Sequence, residues 1–279
     1  MIPDRFVALL YHDVHPGTTF DYGRLGRSAT MYHVSERAFR SHLDLIERAG
    51  HPCLDDSDVR ACLAGAAGGG TRTGAGPGVV FCFDDGWRGA VTCAAPALAE
   101  RGLAAFFFIT TGFLGRQFFA GRNEVRALDP SLFTVGSHGV THRMLSSLPP
   151  DDTVAELSDS RRSLEDLLGR RVSCLSIPGG AVDRRVLETA AAAGYDYIFT
   201  SNLGVNPAPS GRCGIARVGV RQSTDPGTLR RWLAGDFTRE RARAALLGVP
   251  KRLLGARTYS RLRRVLLGEG TGREHFFEP

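Results

Sequence analysis

No stretch of this 279-residue chain approaches the roughly 20 apolar residues that a membrane span needs. The longest apolar run, Leu103 to Leu114, is only about a dozen residues and contains Thr110 and Thr111, which excludes a transmembrane helix. CxxC spacing is missing as well. The six cysteines, Cys53, Cys62, Cys82, Cys93, Cys174 and Cys213, are scattered, three of them in apolar contexts, which argues for small buried thiols in a reducing compartment rather than disulfides or thiolate metal sites. Lysine is nearly absent, with Lys251 alone against 34 arginines, so an arginine occurs everywhere and its type alone singles out none. The glycine-rich segment 64–78, AGAAGGGTRTGAGPG, is not followed by GK[ST], so it reads as a surface loop and not a phosphate-binding P-loop. Internal repeats are lacking. The composition, 43% hydrophobic and 23% charged, is that of a globular protein and excludes disordered, collagen-like and coiled-coil classes.

The opening MIPDRFVALLYHDV lacks the long apolar region and small-residue cleavage site of a signal peptide, so it is expected to enter the first strand directly and the protein to reside in the cytoplasm. The formal charge of +6 is concentrated late: residues 236–279 hold ten basic against five acidic residues. There the sequence becomes RERARAALLGVPKRLLGARTYSRLRRVLLG, which fits two short amphipathic helices broken near Gly248 and Pro250. Two units are therefore expected, a main domain over 1–235 and a basic helical extension over 236–279.

Within the first unit, Val7–Tyr11, Val79–Phe83, Ala105–Ile109, Phe133–Gly136, Cys174–Ile177, Tyr197–Thr200 and Ile215–Val220 are near-continuous apolar runs, as strands buried on both faces of a parallel sheet should be. Helical patterns lie between them. Ser35 can cap one carrying Phe39, Leu43 and Ile46, stopped by Gly50, and others end at Gly102, Gly169 and Gly194. About seven alternations imply an α/β protein, barrel or doubly wound.

Two motifs carry chemistry. Asp84 and Asp85 follow the apolar strand VVFCF directly, and adjacent carboxylates at the C-terminal end of a buried strand are costly to desolvate unless a cation is near, although Asp-Gly is also common turn chemistry. His138 and His142 follow the next strand but one. Their i, i+4 spacing puts both imidazoles on one side of a helical turn, and with Asp85 they form a three-ligand set with open positions, the form of a catalytic zinc site.

These stretches resemble the polysaccharide deacetylases with the NodB-homology domain, carbohydrate esterase family 4. FDDGWRGAVTCAAPALAERGLAAFFFITTGFLG resembles the first family motif, GSHGVTHRMLSSL the second, and Pro178-Gly179-Gly180 stands where Pro-aromatic-Gly is usual. The resemblance spans roughly residues 5–222. It implies a distorted (β/α)7-type barrel, a divalent metal on Asp85, His138 and His142 (zinc first, then Co, Ni, Mn or Fe), Asp84 as general base, and the Gly179 N–H as an oxyanion donor.

The family's late Leu-x-His motif has no counterpart, since the only histidine after His142 is His275. Leu10-Tyr11-His12 satisfies the pattern on the first strand, as in the permuted poly-N-acetylglucosamine deacetylase branch, so the resemblance makes His12 the acid that protonates the leaving amine. Asp13 is expected to orient His12 or approach the metal, and Trp87 to stack on a sugar or pack in the core. Arg88, Arg171 and Arg217 could tether Asp84 or contact substrate, although by abundance each is expected at the surface.

The implied function is a metal-dependent hydrolase removing the N-acetyl group from an amino sugar, either a glycan precursor or a secondary-metabolite intermediate. A deformylase or cyclic-amide hydrolase of the same fold, and a non-catalytic glycan-binding protein, are the alternatives. The basic tail would either rest on an anionic membrane surface or pack on the barrel with its arginines outward. No nucleic-acid recognition motif accompanies it, so no such partner is expected.

Overall fold

The computed structural model describes residues 3–17, 30–65 and 76–245. Most of the glycine-rich loop, and the extension beyond residue 245, lie outside the described residues. Eleven strands are present among the described residues: β1 Arg5–Tyr11, β2 Asp13–His15, β3 His33–Ser35, β4 Gly78–Phe83, β5 Ala105–Ile109, β6 Phe133–Ser137, β7 Cys174–Ser176, β8 Tyr197–Phe199, β9 Asn206–Pro207, β10 Cys213–Ile215 and β11 Arg217–Gly219. The main sheet runs β10-β8-β7-β6-β5-β4-β1-β11 with every neighbour parallel.

The two ends of that order are joined by one residue. β10 and β11 are separated only by Ala216, where the chain leaves β8 and turns onto β1. Asn206 holds the bend: its side-chain carbonyl accepts from the Ala216 N–H at 2.7 Å and its amide donates to the Ala216 C=O at 2.9 Å. Counting the bent segment as one strand gives a nearly closed barrel of seven, the (β/α)7 architecture that the family resemblance implies. The expected strand Ile215–Val220 is thus broken where its backbone must serve two neighbours.

Strand alternation sorts the apolar side chains into two layers. Phe6, Ala8, Leu10, Val80, Cys82, Phe106, Phe108 and Phe199 fill the interior, while Val7, Leu9, Tyr11, Phe81, Phe83 and Phe107 face the helices. Gly136 is required on the inner side, because a Cβ there would lie 2.6 Å from the Phe108 ring and 2.7 Å from Cys174 Sγ. All six cysteines are free.

Around the barrel lie α1 Glu36–Arg48, α2 Asp56–Ala64, α3 Ala95–Ala99, α4 Arg122–Arg126, α5 Pro150–Leu168, α6 Arg184–Ala192 and α7 Pro226–Leu233. Ser35 caps α1 by accepting from the Ala38 N–H, and Gly50, Gly102, Gly169 and Gly194 have positive φ just past their helices. The helix expected over 90–101 opens instead with a wide π-helical turn, Ala90–Ala94, before α3. α2, which carries little apolar pattern, packs Val59, Cys62 and Leu63 against the barrel interior. Of the expected basic extension, residues 236–245 are described: Phe237 is buried, and a helical segment covers 238–245. No helix among the described residues is long and apolar enough to cross a membrane.

Candidate active site

The C-terminal ends of the barrel strands converge on one cavity of about 780 Å³. β4 delivers Asp84 and Asp85, β6 leads into His138, β7 ends at Ser176 and β1 leads into His12, while Arg217 reaches up to them from the start of β11. Asp85 adopts a positive φ of 72° and is followed by Gly86 at 86°, a sharp turn that lifts its carboxylate away from that of Asp84. Trp87 Nε1 donates to Asp85 Oδ2 at 2.9 Å and fixes the other carboxylate oxygen toward the histidines.

That oxygen, Asp85 Oδ1, is buried with no hydrogen-bond donor assigned to it among the described residues and lies 3.2 Å from His138 Nε2 and 3.1 Å from His142 Nε2. The three candidate ligand atoms all fall within 4.8 Å of one another. His138 Nδ1 is 2.8 Å from the Ser176 carbonyl, which requires a proton on Nδ1 and leaves the Nε2 lone pair free. Two imidazole nitrogens and a carboxylate oxygen suit a first-row divalent cation with open positions. Burial alone would raise the Asp85 carboxyl, but the facing His142 and His138 hold it well below the ordinary carboxylate value; reciprocally, Asp85 outweighs burial at His142 and raises it.

The i, i+4 pair does not sit on a helical turn as its spacing suggests. Residues 138–142 form a loop in which Gly139 and His142 both take positive φ. A buried acid on α5 braces it: Glu156 Oε2 accepts the N–H groups of Val140 at 2.7 Å and Thr141 at 3.0 Å, and Oε1 accepts the Thr141 hydroxyl. The histidines converge because Glu156 shapes the loop.

Asp84 stands beside the ligand set, its Oδ2 3.8 Å from His138 Nε2. Arg217 grips both oxygens at 2.8 and 3.0 Å, Ser176 Oγ donates at 2.9 Å, and Arg217 Nε donates to the Thr200 carbonyl at 2.8 Å. Burial pushes the Asp84 carboxyl upward, but Arg217 and His138 more than offset it, so it stays ionised at neutral pH. Arg217 is therefore not the surface residue that abundance suggested but the buried counter-ion of Asp84. Arg171 pairs with Asp196 at the other end of the barrel.

The remaining expected residues divide. His12 lines the cavity, stacked on Tyr32 with ring centroids 4.8 Å apart, and burial, against the pull of Asp85 and Asp84, keeps its imidazole below the ordinary value and neutral. Gly179 also lines it, in a turn with φ 65°. Trp87 is buried against Phe119 and His33, so its observed contact is with Asp85. Asp13 turns to His33, 3.8 Å away on β3, and packs against Gly89. Arg88 is exposed beside Glu124, outside the cavity. Tyr32, Ser176 and Glu156 went unnoticed in the sequence, since each becomes meaningful only through a distant partner.

Residues 71–198 match the polysaccharide deacetylase family. YxkH of Bacillus subtilis (strain 168), a protein named for that family, is 21% identical over 218 residues, 78% of this chain and 72% of its own length. Among solved structures, the Streptococcus pyogenes deacetylase PplD in complex with acetate superimposes with a TM-score of 0.69 at 21% identity, covering 82% of this chain and 98% of that one. IcaB from Ammonifex degensii gives 0.69 at 23% identity, covering 84% and 97%. These likenesses establish the barrel fold.

Proposed function

We propose, from the match of residues 71–198 to the polysaccharide deacetylase family, that the chain removes the N-acetyl group from an amino sugar with a divalent metal, zinc first, held by Asp85, His138 and His142. The observation that carries this reading is Asp84: an ionised, buried carboxylate kept out of the ligand set by Arg217 yet adjacent to it. Bound at those ligands, the metal would polarise the acetyl carbonyl and bring the pKa of its water toward about 7.

Asp84 is the base in this reading. Its Oδ2 takes the proton of the attacking water, and Arg217 and Ser176 keep that oxygen oriented while its charge is spent. Gly179, at the edge of the cavity, offers its N–H to the carbonyl oxygen as charge develops there. His12, neutral at rest, takes up a proton from solvent before the step and passes it to the departing amine, and the proton that Asp84 took from the water returns to solvent as acetate leaves. The cavity volume of about 780 Å³ accommodates more than the acetamido group, in keeping with a sugar carried on a glycan precursor.

The test pairs two substitutions. Asp84→Asn should keep metal, read by mass spectrometry, and lose roughly 10²–10⁴-fold in deacetylation of N-acetylated amino sugars. His138→Ala should lose the metal and the activity together. Full turnover in Asp84→Asn, or metal-free wild type that takes up neither Zn²⁺ nor Co²⁺, refutes the mechanism.

A further inference from the structure

The cavity has a second wall that the reaction does not use. It is built by Arg221 after β11, by Arg231 and Trp232 on α7, and by Arg239 and Arg243 on the helical segment 238–245. On the reaction side Arg217 is matched by Asp84, and Asp85 with its two facing histidines is taken up by the proposed metal. On the second wall four guanidiniums meet Glu240, which Arg231 approaches at 3.4 Å, and Asp236 beside it, which Arg231 approaches at 3.8 Å. Arg221 lies over the Tyr32 ring at 5.4 Å, which leans it toward the ring that stacks on His12.

Arg239 and Arg243 are exposed, and neither forms an ion pair among the described residues. Four residues apart on a helical segment, they repel each other, so their placement on the same cavity wall costs free energy unless an anion lies between them. A second observation points the same way. Trp232 is buried on this wall, and its indole N–H has no hydrogen-bond partner among the described residues. A buried donor without an acceptor is costly and suits a ligand oxygen.

We infer that this wall is a subsite for a phosphate group attached to the amino sugar, so that the substrate is a sugar phosphate ester and not a neutral polysaccharide. The inference rests on the deacetylase reading for the position of the acetamido group and adds the charge of the substrate. Phosphate fits better than a carboxylate: a single guanidinium saturates a carboxylate through two parallel hydrogen bonds, whereas a tetrahedral anion with up to two charges can engage several arginines and the indole together. The ester can continue into a nucleotide or a polyprenyl chain, and the experiment separates them.

The experiment compares kcat/KM of the metal-loaded full chain on N-acetylglucosamine 1-phosphate and on methyl N-acetylglucosaminide, in wild type and in the Arg239→Ala/Arg243→Ala double variant. UDP-N-acetylglucosamine and a micellar polyprenyl-phosphate-linked N-acetylglucosamine serve as carrier arms, and the better of the two identifies the carrier. The phosphorylated sugar should be preferred by at least about tenfold, and the double variant should bring the ratio below about threefold. Calorimetric titration of N-acetylglucosamine 1-phosphate into chelator-treated protein reads the same subsite without turnover and should show about tenfold weaker binding in the variant. Equal kcat/KM on both sugars, or a preference untouched by the double substitution, overturns the subsite while leaving the deacetylase reading intact. Arginine-dependent binding with no turnover of any acetylated sugar by metal-loaded protein supports the subsite and overturns the deacetylase reading.

Discussion

At the N-terminal ends of β7 and β8, Asp196 is shared by Arg60 at 2.9 Å and Arg171 at 2.6 Å, with side-chain exposures of 25%, 37% and 56%. At the C-terminal ends of the same barrel, Arg217 and Asp84 meet at 2.8 Å with exposures of 0% and 4%. The distances are similar and the energetics are not. The exposed trio keeps most of its hydration and contributes little, whereas the buried pair gives up its hydration and recovers that cost only through matched geometry. A fold seeking stability alone would do as well with apolar side chains at the upper end, so the buried pair fits the base role proposed for Asp84 better than a role in stability.

Arg217→Met breaks the contrast most sharply. Asp84 would be left buried against an apolar chain, and unfolding in urea, followed by tryptophan fluorescence, should lose about 3–5 kcal/mol. A loss below about 1 kcal/mol would mean that the buried pair behaves like the exposed one. Next in size is Glu156→Ala, which deprives two backbone N–H groups of their acceptor and frees the loop carrying His142. Metal affinity, measured by chelator competition, should fall about 10–100-fold; an unchanged affinity would show that the loop holds its own shape. Smallest is Arg171→Ala at the lower end, where thermal unfolding should shift by no more than the equivalent of about 1 kcal/mol.

The alternation of strand and helix was legible in the sequence because each strand is buried on both faces and therefore reads as an unbroken apolar run, and because glycines with positive φ mark the helix ends; the barrel, as against a doubly wound sheet, came only from the family resemblance. β2 and β3 escaped notice, being three residues each with charged or histidine side chains. So did α2, whose buried face is only Val59, Cys62 and Leu63. The kink at Ala216 is imposed by Asn206, ten residues away, and no local pattern announces it. At the site, Asp84-Asp85 and His138-x3-His142 stand out because their residues lie close along the chain. Arg217 comes to Asp84 from 133 residues away, and in a chain of 34 arginines only tertiary structure distinguishes it.

The bend at Ala216 has a consequence for the order in which the protein becomes whole. The segment that shuts the barrel is also the one that carries Arg217, so on a growing chain Asp84 and Asp85 emerge long before the guanidinium that steadies the first of them. Seating β10 on β8 and β11 on β1 closes the sheet between them and brings the Arg217 guanidinium to Asp84 in the same step. Architecture and protonation state are thus completed by a single stretch of seven residues, Cys213 to Gly219.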